Sequence, residues 1–167
     1  MPKIKQINNI EPVWIFDNKI LEDADIPENA IAFLYIITHL ETGRWYIGRK
    51  NIFKNKYKTV KGKKKKYKAP SDWKTYWSSS DFLKSMIAKE GSEKFSRTIL
   101  LFVETASATI YSEEALLYIS GGLFNPDCIN GHIRTKIMRS WFATKESNLH
   151  QRILDISASL PIFKPTT

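Results

Sequence analysis

Residues 33–50, FLYIITHLETGRWYIGRK, restrict the fold more than any other stretch of the chain. Ile31 to Thr38 is β-branched, aromatic and free of charge, the composition of a buried strand. Glu41-Thr42-Gly43 supplies a turn and Arg44 to Gly48 a second extended run, so the two runs are expected to pair as a hairpin. That hairpin sets Tyr35 and Tyr46 on partner strands, with Arg49 and Lys50 directly after the second tyrosine. Two aromatics filling a core would explain the pattern as readily as a chemical site, and the hairpin alone leaves both readings open.

Charge narrows the choice. The chain has 167 residues and a net charge of +9, but that charge is local. Thirteen lysines and arginines lie between Arg44 and Lys74 against one acid, Asp72, a net of +12; the other 136 residues hold thirteen basic and sixteen acidic side chains, a net of −3. Positive charge concentrated in this way is the footprint of a polyanionic partner, usually nucleic acid. Lys54, Lys56, Lys63, Lys64, Lys65, Lys66 and Lys74 are the expected phosphate contacts. The stretch from Asn51 to about Lys68, with its KGKKKK centre, is expected to be a mobile loop, because such a run has nothing to bury. Trp73, Tyr76 and Trp77 interleave with Lys74. Trp73 and Trp77 could stack on bases, and the i, i+3, i+4 spacing of the three rings equally suits the core face of a short helix.

The remaining elements follow from periodicity. Val13 to Phe16 is a candidate edge strand. Ser80 or Asp81 can cap a helix carrying Phe82, Leu83, Met86 and Ile87 on one face, with Gly91 to end it. Phe95 to Val103 reads as a third strand, Ala106 to Ser120 as a second helix, and Arg134 to Leu160 as largely helical. The expected architecture is α+β: a small three-stranded antiparallel sheet flanked by helices. An arm over 1–30 would precede a domain over 31–133 with a basic insertion at 51–70, and a helical C-terminal tail over 134–167 would follow. The first twelve residues lack an apolar signal core, and the longest apolar run, Ile31 to Ile37, is too short for a bilayer. A cytoplasmic protein with no membrane partner is expected. Cys128, the single cysteine, is expected to be a small buried residue, and His39 a turn residue.

Two tyrosines on a hairpin, cations after the second and a carboxylate on a later helix resemble the GIY-YIG nuclease superfamily in its phage-type, homing-endonuclease-like form. Phe33-Leu34-Tyr35 stands where that family has Gly-Ile-Tyr, and Tyr46-Ile47-Gly48 matches Tyr-Ile-Gly in full. SSDFLKSMIAKEG and KFSRTIL resemble its middle helix and third strand, and SEEALLYISGGLFNPDCIN its glutamate-bearing helix and closing segment. The chain departs from the pattern where many members carry an arginine on a helix about ten residues after the second motif tyrosine. Position 56 is lysine, and Arg49 and Lys50 are the nearest substitutes.

The resemblance implies a phosphodiester hydrolase acting on DNA, read as duplex, with one divalent cation, Mg²⁺ or Mn²⁺, on a single glutamate. Tyr46 would be the base that activates water and Tyr35 would orient water or phosphate, with Arg49 and Lys50 as the catalytic cations. A tyrosine titrates near pH 10, so a base role needs cations beside it. Glu113 and Glu114 border the same apolar stripe of Ile110 and Leu117 at 3.6 residues per turn, so periodicity cannot choose between them. The family pattern of Glu followed by Ala favours Glu114 as the metal ligand, with Glu113 as the alternative. A binding protein that kept the fold and lost cleavage, and an RNA-directed nuclease, are the competing readings.

Overall fold

The structure is a computed structural model that describes residues 13–122, 124–133 and 148–160. In chain order its elements are β1 (Trp14–Phe16), β2 (Lys19–Ile20), β3 (Ala32–His39), β4 (Trp45–Asn51), β5 (Phe53–Val60), β6 (Lys63–Pro70), α1 (Asp81–Glu90), β7 (Phe95–Val103), α2 (Ala106–Ile119) and α3 (Leu149–Ser159). None of these helices is long and apolar enough to cross a membrane. The fold is α+β as expected, but the sheet has five strands, not three, in the order β2-β1-β7-β3-β4. The additions come from the N-terminal stretch. β1 lies parallel to β7, and Asp17 and Asn18, both at positive φ, turn the chain back into β2. The strand expected near Val13 therefore forms one place in from the sheet edge.

Each face of the sheet is covered. Trp14, Phe33, Tyr35, Ile37, Tyr46, Phe95 and Ile99 point to one side, where Leu83 of α1 and Trp73 of the segment before it pack on them. Leu34, Ile36, Trp45, Ile47, Leu101 and Val103 point to the other, against Leu116 and Leu117 of α2 and Leu149 and Ile153 of α3. Both expected helices form with their expected signals. Ser80 Oγ accepts from the N–H of Leu83, Gly91 ends α1 at φ 98°, and Thr105 Oγ1 accepts from the N–H of Ala108 at the start of α2. The helical expectation over 134–160 is met at Leu149–Ser159; residues 134–147 lie outside the described residues.

The lysine-rich stretch is the largest correction. It is a second, two-stranded antiparallel sheet, β5 paired with β6 in continuous register, and not a loop. Lys61 and Gly62, at φ 50° and 75°, make the two-residue turn whose twist suits a hairpin. Tyr57, Thr59, Val60 and Tyr67 supply β-formers between the lysines. A ribbon solvated on both faces needs no apolar side, which is why the hydrophobic pattern missed it.

His39 is also not a turn residue. It ends β3 buried against Phe95, with Nδ1 2.7 Å from Thr42 Oγ1 and Nε2 3.0 Å from Glu90 of α1. Residues 71–80 form turns rather than a helix, and a buried cation shapes them. Arg97, 3% exposed, lies between the rings of Trp14 and Trp77, at 4.6 and 4.8 Å from their centres. Its Nη1 donates to the carbonyls of Lys74 at 3.2 Å and Tyr76 at 2.8 Å.

Arg97→Ala leaves those carbonyls without their donor and removes two cation–π contacts. It is expected to cost about 3 kcal/mol, a fall in Tm of roughly 6–12 °C in thermal denaturation. An unchanged Tm would mean that residues 74–77 are held by something else.

Candidate active site

Strand β4 forms one edge of the five-stranded sheet, and that edge is used in two ways. Up to Ile47 it is covered. The N–H of Trp45 donates to Asp127 O at 2.9 Å, and the N–H of Ile129 donates to Trp45 O at 2.7 Å. The side-chain amide of Asn130 then takes both backbone groups of Ile47, accepting at 2.9 Å and donating at 2.7 Å. Beyond Ile47 the edge opens into a cleft of about 940 Å³.

Alternation along β4 serves this cleft from both faces. Tyr46, Gly48 and Lys50 lie on the α1 side, and Arg49 on the α2 side. Arg49 Nε meets Glu113 Oε2 at 2.6 Å. Lys50 Nζ lies 3.6 Å from the centre of the Tyr76 ring and 2.8 Å from Asp72 Oδ1. Tyr46, Arg49, Lys50, Lys54, Asp72, Tyr76, Glu113, Glu114, Asn130 and His132 all line the cleft. Burial pushes the Glu113 carboxyl up from its usual range; Arg49 opposes that rise and the Glu114 carboxylate adds to it. Glu114 lies deeper, 6% exposed, in the same wall.

Tyr35 is one layer behind. It is 1% exposed, does not line the cleft, and meets the Tyr76 ring edge-on, their centres 6.2 Å apart. Burial, with Tyr46 and Tyr76 beside it, raises the Tyr35 hydroxyl well above the ordinary tyrosine value, so it stays protonated. Its ring centre is 6.2 Å from that of Tyr46. Gly48 stands opposite Tyr35 in the β3–β4 register. A Cβ at Gly48 would lie 2.5 Å from Tyr35 Oη and 2.8 Å from Tyr46 Cε1, so only glycine leaves room for both rings.

A family model described as "Putative endonuclease segE, GIY-YIG domain" matches residues 14–131, from β1 to the residue after Asn130. The chain belongs to this GIY-YIG endonuclease family. No curated protein and no solved structure matches it. Within the GIY-YIG domain, the cleft brings together Tyr46, Arg49, Lys50, Lys54 and both glutamates. Lys56 and Lys63 to Lys66 lie along the ribbon, and Lys74 is paired with Asp23 at 2.7 Å. Trp73 is a core residue and Trp77 is half-buried against Phe95 and Arg97, which corrects the expectation that their faces serve base stacking. Cys128 is half-buried, and burial pushes its thiol up, away from nucleophile chemistry. Sequence reasoning did not single out Asn130, His132 or Asp72 as site residues. Asn130 lies in the closing segment of the motif, but a lone asparagine carries no sign that its amide will act as a strand partner.

Two outcomes follow from the tyrosine geometry. A hydroxyl whose folded pKa is raised contributes stability below its unfolded pKa, near 10, and loses it as pH climbs through the folded value. The protein should therefore lose stability above about pH 10, and Tyr35→Phe should flatten that loss in denaturant titrations across pH; an equally steep loss would place the effect elsewhere. Gly48→Ala should cost about 1–3 kcal/mol by overpacking. At a temperature where it stays folded, its nuclease activity should fall at least about tenfold, because Tyr46 is displaced.

Proposed function

We propose that this cleft hydrolyses DNA phosphodiester bonds with one divalent cation held by Glu114. The observation that carries the reading is the convergence of Tyr46, Arg49 and Lys50, from both faces of one edge strand, with a buried carboxylate of α2, in a chain of the GIY-YIG family. The donor set fits a hard cation. Among the described residues no group of three His, Cys, Asp or Glu converges, so a carboxylate oxygen completed by water and phosphate oxygens is the coordination on offer. Glu114, 6% exposed in the cleft wall and followed by Ala115 as the family pattern has it, is taken as the ligand, with Glu113, paired to Arg49, as the alternative. Bound there, Mg²⁺ or Mn²⁺ would neutralise charge growing on the phosphate oxygens.

The chain's own groups do the rest. Arg49 and Lys50 receive a phosphate from opposite faces of β4, and Glu113 presets the Arg49 guanidinium for it. Such charges act most strongly on the transition state, where phosphate charge is greatest. Tyr46, at the wall, would take the proton from water as its phenolate, the form that Arg49, Lys50 and a bound cation favour, and become the neutral phenol, while Tyr35 behind it and Tyr76 in the same lining shape the wall. The setting proposed is the cytoplasm of a bacterial or phage-infected cell, in a role related to homing enzymes. A binding protein without cleavage is the second reading, favoured by the absence of a helix-borne arginine: after Tyr46 the chain runs from β4 straight into the ribbon.

Plasmid nicking tests the proposal. Nicking should require Mg²⁺ or Mn²⁺ and stop in EDTA. Tyr46→Phe should lower it about 10²-fold or more with Tm and DNA affinity retained, as expected when an acid–base group is removed. Glu114→Ala should abolish it, and Glu113→Ala should reduce it about tenfold by releasing Arg49. The opposite ranking would move the cation to Glu113. Full activity in EDTA would overturn the metal-dependent mechanism, and a wild-type protein that binds DNA without nicking it would establish the second reading.

A further inference from the structure

The cleft accounts for Arg49, Lys50 and Lys54 but leaves the rest of the basic ribbon unused. β5 and β6 have eight residues each, so the ribbon extends about 27 Å at ~3.4 Å per residue. It carries nine lysines, Lys54 to Lys68, with no arginine, aspartate or glutamate. Lys58 stands directly opposite Lys65 in the register, an apposition of like charges that destabilises a strand pair. Among the described residues none of the nine forms an ion pair. No acid lies within the ribbon to compensate that charge, and a polyanionic partner would supply the missing anion.

Register decides how that partner lies. Opposed residues share a face, so Lys54, Lys56, Lys58, Lys63 and Lys65 project to one side and Lys64, Lys66 and Lys68 to the other. Tyr57, 64% exposed, joins the second set. A ribbon lying flat on a phosphate surface needs charge on one face; a ribbon sunk in a groove has a phosphate backbone on each side. The B-form major groove, about 12 Å wide, admits a two-stranded ribbon, whereas the minor groove is only about 6 Å wide. Minor-groove arms read with arginine and often insert an apolar wedge, and this tip is Lys61-Gly62 with no arginine anywhere on the ribbon. In A-form RNA the major groove is too deep and narrow for such an element. Lysines without arginine forks act as point charges on phosphate, so the grip reads little sequence.

The root is fixed to the site. Ile52 and Ala69 are buried, the N–H of Ile52 donates to Ile31 O and the N–H of Ser71 to Ile52 O, both at 2.9 Å, and Lys54 at the ribbon base lines the cleft. We infer that the β5–β6 ribbon seats in the major groove of duplex DNA and so presents a flanking phosphate to the cleft. This rests on the reading of the cleft as a DNA nuclease and names the form of its substrate.

The test uses full-length protein in EDTA, so that DNA remains intact, on a duplex of about three helical turns (~30 base pairs). Dimethyl sulfate reports guanine N7 in the major groove and adenine N3 in the minor groove. Guanine N7 should be protected and adenine N3 left reactive. Replacing Lys63, Lys64, Lys65 and Lys66 together with glutamine should erase the protection and weaken duplex binding at least about tenfold. It should also flatten log K against log salt by about 0.9 for each phosphate no longer neutralised by a lysine. Thermal denaturation of this variant should show no loss of stability, because the ribbon is solvated, lies outside the core and is relieved of like-charge repulsion. Duplex RNA should bind at least about tenfold more weakly than duplex DNA. Adenine N3 protection with guanine N7 free, an unchanged salt slope, or equal affinity for duplex RNA would overturn the ribbon assignment. Any of these in a protein that nicks plasmid would leave the catalytic reading standing. A guanine N7 footprint from a protein that never nicks would overturn catalysis and support the ribbon.

Discussion

Tyr35 and Gly48 face each other across the β3–β4 ladder, and the rest of the site depends on the space that glycine leaves there. With no side chain on Gly48, the Tyr35 ring lies over the strand and meets the Tyr76 ring edge-on, while Tyr46 leans against the same gap toward the cleft. β7 accommodates this crowding on the other side of β3 with a register shift between Leu34 and Tyr35, a bulge of the kind often found beside sites. The two motif tyrosines thus have different chemistry despite their similar sequence contexts. Burial keeps Tyr35 protonated behind the wall, and Tyr46 alone lines the cleft.

The second constraint is that β4 is an edge strand. Edges expose backbone donors and acceptors that must be covered or used. Here residues 127–130 cover the half before Gly48, ending with the Asn130 amide on Ile47, and the uncovered half borders the cleft. An edge strand can deliver side chains from both of its faces to one opening. Arg49 therefore meets Glu113 of α2 while Lys50, its neighbour in sequence, meets Asp72 and Tyr76 on the opposite face. A helix would have set neighbouring residues about 100° apart; a strand sets them on opposite faces of the sheet.

Much of this was legible in residue order, for reasons that differ by element. The β3–β4 hairpin, α1, β7 and α2 carry strong apolar periods with caps and turns at their ends, and each formed within a residue or so of its expected bounds except that β4 runs on three residues past Gly48 to Asn51. The β1–β7 pairing was not legible, because it joins a three-residue strand to a partner some eighty residues away. The ribbon escaped because strand patterns are recognised by a buried face and it has none. Trp73 and Trp77 illustrate a different limit: their spacing fitted base stacking and core packing alike, and Arg97, distant in sequence, decides for packing by holding the carbonyls of Lys74 and Tyr76. Glu113 and Glu114 could not be separated by helical period, since both border the apolar stripe, and the fold brings both to the cleft wall.

The charge pattern connects these pieces. An exposed strand pair with Lys58 opposite Lys65 and no acid within it repels itself, and screening shortens that repulsion to about 8–10 Å in ordinary salt without removing it between neighbours. Its folded form is held by the β5–β6 ladder, the Lys61-Gly62 turn and the anchored root at Ile52 and Ser71. Any polyanion that relieves the repulsion stabilises the ribbon by the free energy of that relief, so folding of the ribbon and binding of its partner are thermodynamically linked. The acids that balance the chain lie elsewhere, apart from Asp72, which Lys50 holds below the usual carboxylate range at the cleft mouth. A phosphate chain approaching this surface meets lysines first and carboxylates only within the cleft. Attraction and repulsion are thereby separated in space along the path from ribbon tip to Glu114, and a cation at the glutamates would remove the last repulsive contact.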